Sequence, residues 1–139
     1  MQNAHPTAHT GSCHCGAVRF TVEVDTSHAT RCNCSVCMKI AGTSAIVKPA
    51  AFTLQSDPAA LAEYVCLSGI GRRYFCPRCG VHCFARGHLE QLGGDYVSVA
   101  INTLDDVDLC DVQIAHWDGR NNNWAAGPRA TPWPLTPRA

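Results

Sequence analysis

Residues Arg31–Gly42 read RCNCSVCMKIAG, and this stretch holds three cysteines, Cys32, Cys34 and Cys37, at C-x-C-x2-C spacing. Cysteines this close along the chain rarely reach the Cα separation of about 4.4–6.8 Å that an unstrained disulfide needs. Their thiolates can instead converge on one metal ion. Zinc takes four protein ligands in a structural site and three in a catalytic site, where the fourth position stays open. The stretch therefore predicts a zinc site with three local thiolates and an open position.

Four further cysteines predict a second, closed zinc site. Cys13 and Cys15 form a C-x-C pair in GSCHCG, and Cys76 and Cys79 form a C-x2-C pair in YFCPRCG. Gly80 permits the left-handed backbone that turns N–H groups toward sulfur in such a knuckle. A four-cysteine site would join the first strand to the later hairpin, and a metal stabilises a fold of short strands. The alternative is two unrelated pairs of core cysteines, which the two knuckle-like turns disfavour.

The composition favours one globular domain that works through metal or thiol chemistry. The chain has 139 residues, of which 46% are hydrophobic and 16% charged, and its formal net charge is zero. Because there is no run of Lys and Arg, no nucleic-acid partner is expected, and no apolar run approaches the roughly 18–20 residues of a membrane span. The polar N-terminus does not resemble an export signal, so we expect a cytoplasmic protein. Ten cysteines in that setting indicate metal ligands rather than disulfides.

Alternation of apolar and polar residues predicts a mainly β chain. The clearest strand is Ala17–Val24, in which the valines and Phe20 share one face. Further strands are predicted at Thr43–Val47, Ala51–Leu54 and Leu61–Leu67, on both sides of the knuckle within Arg72–Ala85, and at Asp95–Asn102 and Asp111–His116.

A single short helix is predicted at Val36–Ala41, with Ser35 as its N-cap and Gly42 after its C-terminus. The expected organisation is a flexible tail over residues 1–10 and one zinc-binding domain over residues 11–116. An arm rich in proline and tryptophan, residues 117–139, should pack on the same domain.

The fourth ligand of the second site is an open question. Cys83, Cys66, Cys110 or a histidine would close the site and make it structural. Cys83 is the strongest candidate because it follows Cys79 by four residues, but its position in the strand VHCFA equally suits a buried core residue. The shortage of local ligands favours the open site.

Three motifs, GSCHCGAVRF, RCNCSVC and YFCPRCG, occur in this order within Gly11–Asn102. The chain thereby resembles the glutathione-dependent formaldehyde-activating enzyme family, also called the centromere-protein-V-like family. The resemblance implies a mainly β fold of two antiparallel sheets in a β-tent arrangement, with few short helical turns. It implies two Zn2+ ions per chain, a structural zinc that staples the fold at Cys13, Cys15, Cys76 and Cys79, and a catalytic zinc at Cys32, Cys34 and Cys37. Cys83 stands where the family pattern leads us to expect an aliphatic residue.

The resemblance also implies a carbon–sulfur lyase-type enzyme similar to S-(hydroxymethyl)glutathione synthase. A zinc-bound thiol such as glutathione would add to a small aldehyde such as formaldehyde, and the reverse reaction would release the aldehyde. Arg31 and Lys39 flank the site in sequence and are the expected partners of the glutathione carboxylates. His116, Trp117 and Trp124 would line the pocket if the C-terminal arm folds back.

Two other functions stay open at this point. A fourth protein ligand at the second site would favour a non-catalytic zinc-binding interaction module. Reversible loss of metal with disulfide formation among Cys32, Cys34 and Cys37 would favour a thiol redox or metal-buffering protein. Uptake of an external thiol at an open position would favour the enzyme, so the number of protein ligands is the discriminating observation.

Overall fold

Ten strands form two sheets in the computed structural model, which describes residues 4–67 and 69–135. The smaller sheet contains β1 (Thr7–Ser12), β2 (Arg19–Val24) and β5 (Phe52–Leu54), in the order β1-β2-β5. The larger sheet contains β3 (His28–Cys32), β4 (Ser44–Val47), β6 (Ala62–Val65), β7 (Arg72–Phe75), β8 (His82–Leu89), β9 (Gly94–Ala100) and β10 (Gln113–Trp117), in the order β10-β3-β4-β9-β8-β7-β6. One α helix, α1 (Ser35–Ile40), and six 3-10 turns complete the described elements; the turns are Pro49–Ala51, Pro58–Ala60, Glu90–Leu92, Ile101–Thr103, Leu109–Asp111 and Trp124–Ala126.

The predicted mainly β fold of two sheets with few helical turns is confirmed. The strands pair antiparallel with one departure: β3 and β10 run parallel, from Gln113 opposite His28 to Trp117 opposite Cys32. A parallel pair needs a long crossover, and the segment between β3 and β10 is long because it contains most of the large sheet. The C-terminal strand can therefore return to the free edge of β3, beside the triple-cysteine stretch.

The hydrophobic core lies between the two sheets. Period-two alternation in β2 buries Phe20, Val22 and Val24, while Arg19 and Glu23 face solvent. Aromatic rings from both sheets meet there. The ring centroids of Phe20 and Phe52 lie 5.1 Å apart and those of Phe52 and Phe84 lie 4.5 Å apart. Aromatic pairs at these separations add to the stability that comes from burying apolar area.

The N-terminal segment differs from the flexible tail expected over residues 1–10, because β1 begins at Thr7 and pairs along its whole length with β2. Side-chain hydrogen bonds hold the edge of β1 that faces away from β2. The hydroxyls of Thr10 and Ser12 both donate to the Asp105 carboxylate, at 2.9 and 2.8 Å. A polar strand of this kind shows little hydrophobic alternation, which is why the sequence pattern missed it.

Helix α1 also begins and ends one residue away from the predicted positions. The Cys34 carbonyl accepts the first helical hydrogen bond, from the Met38 N–H at 2.9 Å, so Cys34 is the N-cap in place of Ser35. At the other end Ala41, not Gly42, takes the left-handed backbone, with φ 52°. Within the two described ranges, no helix is both long and apolar enough to cross a bilayer.

The C-terminal segment packs against β10. Backbone hydrogen bonds of 2.8 and 3.0 Å join His116 and Arg129 in both directions, and the Trp133 indole N–H donates to the His116 carbonyl at 2.9 Å. The Arg129 guanidinium lies 4.1 Å from the centre of the Trp133 ring. Residues 1–3 of the expected tail, residue 68, and residues 136–139 of the expected arm lie outside the described residues.

Candidate functional site

The four cysteines predicted to form a closed site lie together. The Sγ atoms of Cys13, Cys15, Cys76 and Cys79 are all within 4.8 Å of one another. Sulfur–sulfur distances of 3.7 Å for Cys13–Cys15 and 3.6 Å for Cys15–Cys76 are too long for disulfides. A tetrahedral zinc with bonds of about 2.3 Å requires sulfur atoms about 3.8 Å apart, so the donor set fits this ion.

Loops that follow strands of both sheets position this cluster. Cys13 follows β1 and Cys76 follows β7, and both side chains are buried at the junction of the sheets. Gly80, with φ 77°, closes the knuckle through a 2.7 Å hydrogen bond from its N–H to the Cys76 carbonyl. Backbone N–H groups of Cys15 and Val81 lower the pKa of the Cys79 thiol to about 6, which favours the thiolate that a metal needs.

The second cluster lies where β3 passes into α1. The Sγ atoms of Cys32, Cys34 and Cys37 are within 4.8 Å of one another, and all three residues are half-buried. The helix places Cys34 and Cys37 one turn apart on the same face, and the Cys34 N–H donates to Cys32 Sγ at 3.4 Å. Hydrogen bonds from Cys32 and Cys37 lower the pKa of Cys34, whereas those from Cys32 and Cys34 raise the pKa of Cys37, so the trio readily holds one thiolate.

Across residues 4–67 and 69–135, no fourth Cys, His, Asp or Glu ligand atom lies within 4.8 Å of all three sulfurs. Cys83 is fully buried in the core and donates to the Val81 carbonyl at 3.5 Å, and burial raises the pKa of its thiol to about 12. Cys110 is exposed beside Asp108 and Asp111. Cys66 is half-buried and belongs to neither cysteine cluster.

A cavity of about 370 Å3 opens beside the second cluster. It is lined by Arg31, Cys32, Asn33, Cys37, Met38, Ala41, Gly42, His116, Trp117, Pro132, Trp133 and Leu135. Of the residues predicted to bind substrate, Arg31 lines the cavity, whereas Lys39 is exposed in the last turn of α1 and does not. Trp124, expected in the pocket, is not among the lining residues, and its ring centroid lies 6.0 Å from that of Trp117.

Two side chains set the polarity of this cavity. The Arg31 Nε donates to Thr43 Oγ1 at 2.9 Å, and the terminal nitrogens of Arg31 make no hydrogen bond to another residue that the structure describes. Burial, with smaller contributions from the positive charges of Arg31 and Arg129, lowers the pKa of His116 and keeps that imidazole neutral near pH 7. A cationic group and a neutral hydrogen-bonding group therefore share one mostly apolar cavity.

Asn33, between two of the cysteines, connects the cluster to the loop after β10. Its side-chain amide donates to the buried Asp118 carboxylate at 2.8 Å and its side-chain oxygen accepts from the Arg120 N–H at 2.9 Å. The Arg120 Nε donates to the Asn33 carbonyl at 3.0 Å. The peptide between Cys32 and Cys34 is thus held on both sides.

Arg73 lies at this site, although the sequence suggested only that it flanks the knuckle as a surface charge. It is half-buried on β7, and its Nη2 donates to Cys37 Sγ at 3.3 Å. Its neighbour Arg72 faces the opposite way and forms an exposed ion pair with Glu63. The signal was available in the sequence: two adjacent arginines on a strand must point to opposite faces of the sheet.

A family model described as glutathione-dependent formaldehyde-activating enzyme matches residues 8–120. The chain belongs to this family. A protein of Halomonas elongata named "Putative glutathione-dependent formaldehyde-activating enzyme" is 39% identical over 82 residues, in a match that covers 50% of each chain. A protein of the same name from Emericella nidulans is 32% identical over 98 residues, in a match that covers 65% of this chain and 49% of the relative. The chain thus spans about half the length of the curated relatives it matches.

The solved structures include a similar fold. A crystal structure of a Rhodobacter sphaeroides protein superposes with a TM-score of 0.67 at 25% sequence identity, and the match covers 78% of this chain and 98% of that one. The resemblance to the family inferred from the three cysteine motifs is therefore confirmed by the family match, and the two-sheet architecture recurs in an experimental structure.

Proposed function

We propose that this protein is a zinc-dependent carbon–sulfur lyase-type enzyme, in which a glutathione-like thiol adds to, or is released from, a small aldehyde such as formaldehyde. The observation that carries the proposal is the three-sulfur cluster that opens on a cavity and has no fourth ligand among the described residues. Membership of the family supplies glutathione and formaldehyde as the reactants to test first.

Two zinc ions with different roles fit the two donor sets. Cys13, Cys15, Cys76 and Cys79 would hold a structural ion with four thiolates, whereas Cys32, Cys34 and Cys37 would hold an ion with three. A zinc ion at the second set supplies the positive charge that keeps an incoming thiol deprotonated at neutral pH.

The cavity residues would bind and orient the reactants. Arg31 can donate to a carboxylate of the thiol through its terminal nitrogens, while Thr43 fixes its Nε. The indoles of Trp117 and Trp133 line the same cavity as Arg31 and would exclude water from it. Lys39 lies outside the cavity lining, so it would contact only a part of the substrate that projects over α1.

His116 is the side chain placed to handle the proton of the adduct. In the forward direction the thiol gives up its proton, its sulfur bonds to the carbonyl carbon as the C=O π bond opens, and the carbonyl oxygen takes up that proton to become a hydroxyl. Thiol and aldehyde combine with no other product. A neutral imidazole in the cavity can hydrogen-bond that hydroxyl and relay its proton in either direction.

The test combines metal analysis with a rate measurement. We expect two zinc ions in the purified protein and one in the Cys32→Ser/Cys37→Ser variant, with an unchanged circular dichroism spectrum. Exchange of 13C-formaldehyde with S-hydroxymethylglutathione, followed by NMR, should be accelerated by the wild-type protein and not by that variant. Cys110→Ser, which changes an exposed cysteine outside both clusters, is the matched control and should behave as wild type.

Two results would reject the proposal. A wild-type protein that holds two zinc ions but leaves the exchange rate at its uncatalysed value would indicate a binding module. Global unfolding of the Cys32→Ser/Cys37→Ser variant would indicate that the second ion is structural.

A further inference from the structure

We infer that Arg73 is a positioning residue of the second metal centre: its guanidinium fixes the Cys37 sulfur by a hydrogen bond and offsets the negative charge of the three-thiolate site. This inference rests on the proposed function in taking Cys32, Cys34 and Cys37 as metal ligands. It goes beyond that function because it assigns control of the Cys37 sulfur to Arg73, a side chain on β7 that is distant in sequence from the three cysteines.

The sheet holds Arg73 rigidly in place. Its strand lies inside the large sheet, where Arg73 is paired with Tyr64 on one side and Ala85 on the other. Pairing on both sides fixes the backbone, so the side chain rises from a defined point on the face that meets α1. From there its Nη2 reaches Cys37 Sγ at 3.3 Å.

The sulfur cluster contacts this guanidinium and can supply the negative charge that compensates it. Among the described residues, no carboxylate lies within salt-bridge distance of Arg73, and its Nε is buried without a hydrogen-bond partner. A half-buried guanidinium with no carboxylate is unfavourable unless another anion compensates it. The other polar contact is with the Cys66 thiol, which belongs to neither cluster.

The other titratable groups that share charge interactions with Arg73 add no competing charge near pH 7. Burial, followed by the positive charge of Arg73, lowers the pKa of His82 to about 4. Burial raises the pKa of Tyr96. Both side chains are therefore neutral, and Arg73 contributes the positive charge that the sulfurs experience from this face.

The chemical consequence follows from the charge of the centre. Three thiolates and one divalent cation carry a net charge of −1, which a neighbouring guanidinium neutralises. A hydrogen bond to a ligating sulfur withdraws electron density from it, and outer partners of this kind commonly alter metal affinity by about 10–100-fold. With a less electron-rich ligand set, a cation held by Cys32, Cys34 and Cys37 would acidify an incoming thiol more strongly.

The test uses Co2+ as a spectroscopic probe in the full-length protein. In Arg73→Met, we expect the Co2+ affinity of the second site, measured by chelator competition, to fall about tenfold or more. The sulfur-to-cobalt charge-transfer band should move to lower energy because the sulfur loses its hydrogen bond. Arg73→Lys keeps the charge and should retain most of the affinity. Arg72→Met, a neighbour on the opposite face, and Cys66→Ala should leave both readouts at their wild-type values.

Three outcomes would overturn the inference. These are a wild-type band and affinity in Arg73→Met, an equal loss of Co2+ affinity at both sites in a folded Arg73→Met protein, or an effect in Cys66→Ala as large as that in Arg73→Met. If Arg73→Met does not fold, Arg73→Lys carries the test. Loss of Co2+ affinity at the second site of that variant, with the first site unaffected, would equally reject a role for the charge of Arg73. Because cobalt binding is read without turnover, absence of lyase activity would count against the proposed function and leave this inference standing.

Discussion

Gly119 leaves no room for a side chain against Cys32. A Cβ added at Gly119 would lie 2.5 Å from Cys32 Sγ and 2.8 Å from Cη2 of Trp124. The turn after β10 therefore touches the thiol of a predicted metal ligand directly, and the close approach depends on glycine.

Gly119→Ala should displace the Cys32 thiol. The added methyl group must push away either the sulfur or the Trp124 ring, and overpacking of this kind costs about 1–3 kcal/mol. We expect the zinc affinity of the second site to fall about tenfold, equivalent to about 1.4 kcal/mol, while the first site stays filled. Chelator competition measures both sites. Gly71→Ala is the matched control, since its Cβ would meet Cys66 Sγ at an ordinary 3.5 Å; two filled sites of native affinity in Gly119→Ala would refute the steric argument.

Cys76→Ser should unfold the protein or lower its melting temperature strongly. Cys76 is fully buried where the sheets meet, and loss of a structural zinc removes a large share of the folding free energy of a small domain. Cys83→Ala is the control: it removes another fully buried cysteine, outside both clusters, and should keep both zinc ions at a cost of about 1 kcal/mol. Thermal unfolding with zinc analysis separates the two variants, and equal destabilisation would count against a metal at the first cluster.

Arg31→Met should weaken the use of carboxylate-bearing thiols. Loss of a charged hydrogen bond to a carboxylate costs about 1.5–3 kcal/mol, so kcat/KM for glutathione should fall at least tenfold. With 2-mercaptoethanol, which has no carboxylate, the two proteins should react alike. Lys39→Met removes the exposed cation outside the cavity, and it should leave kcat/KM unchanged for both glutathione and 2-mercaptoethanol. An equal loss with both thiols would show that Arg31 supports the site without binding the carboxylate.

His82 should make stability depend on pH below neutrality. Its folded pKa of about 4 is below the unfolded value of about 6.5. The unfolded chain therefore binds a proton more readily than the folded chain. The contribution of His82 to the free energy of unfolding is fully present above pH 6.5, and it is lost as the pH falls toward 4. Between pH 6.5 and pH 4 the free energy of unfolding of the wild type should fall by roughly 2–3 kcal/mol at most relative to that of His82→Gln. The loss is limited because the His82 side chain is partly solvated. Urea unfolding from pH 4 to 7 measures this loss, with exposed His88→Gln as control; parallel curves for wild type and His82→Gln would contradict it.

Local spacing explains why the triple-cysteine cluster, and each of the two pairs that form the four-cysteine cluster, were predictable from the sequence. C-x-C and C-x2-C pairs bring sulfurs together within one turn whatever the remaining chain does, and the knuckle at Gly80 adopts the predicted left-handed backbone. The alternation in β2 likewise encodes its buried face within the strand itself.

Features that depend on contacts between segments far apart in the sequence could not be predicted from local residue patterns. The strand character of Thr7–Ser12 comes from its partner β2 and from Asp105, and the parallel alignment of β10 comes from the free edge of β3. The arm does line the cavity, but with Trp133, while Trp124 packs against Trp117. Side-chain periodicity is the same for a parallel and an antiparallel neighbour, so it contains no information about these choices.

The hydrogen bonds that join Asn33 to Asp118 and Arg120 link positions more than eighty residues apart. A nascent chain has all four cysteines of the first cluster once Cys79 has been synthesised, but Asn33 acquires these partners only after residues 118–120 have followed. The second cluster is therefore the later of the two to gain its full set of contacts. A polypeptide cleaved before Asp118 would retain every predicted zinc ligand and yet lose the clamp on the peptide between Cys32 and Cys34.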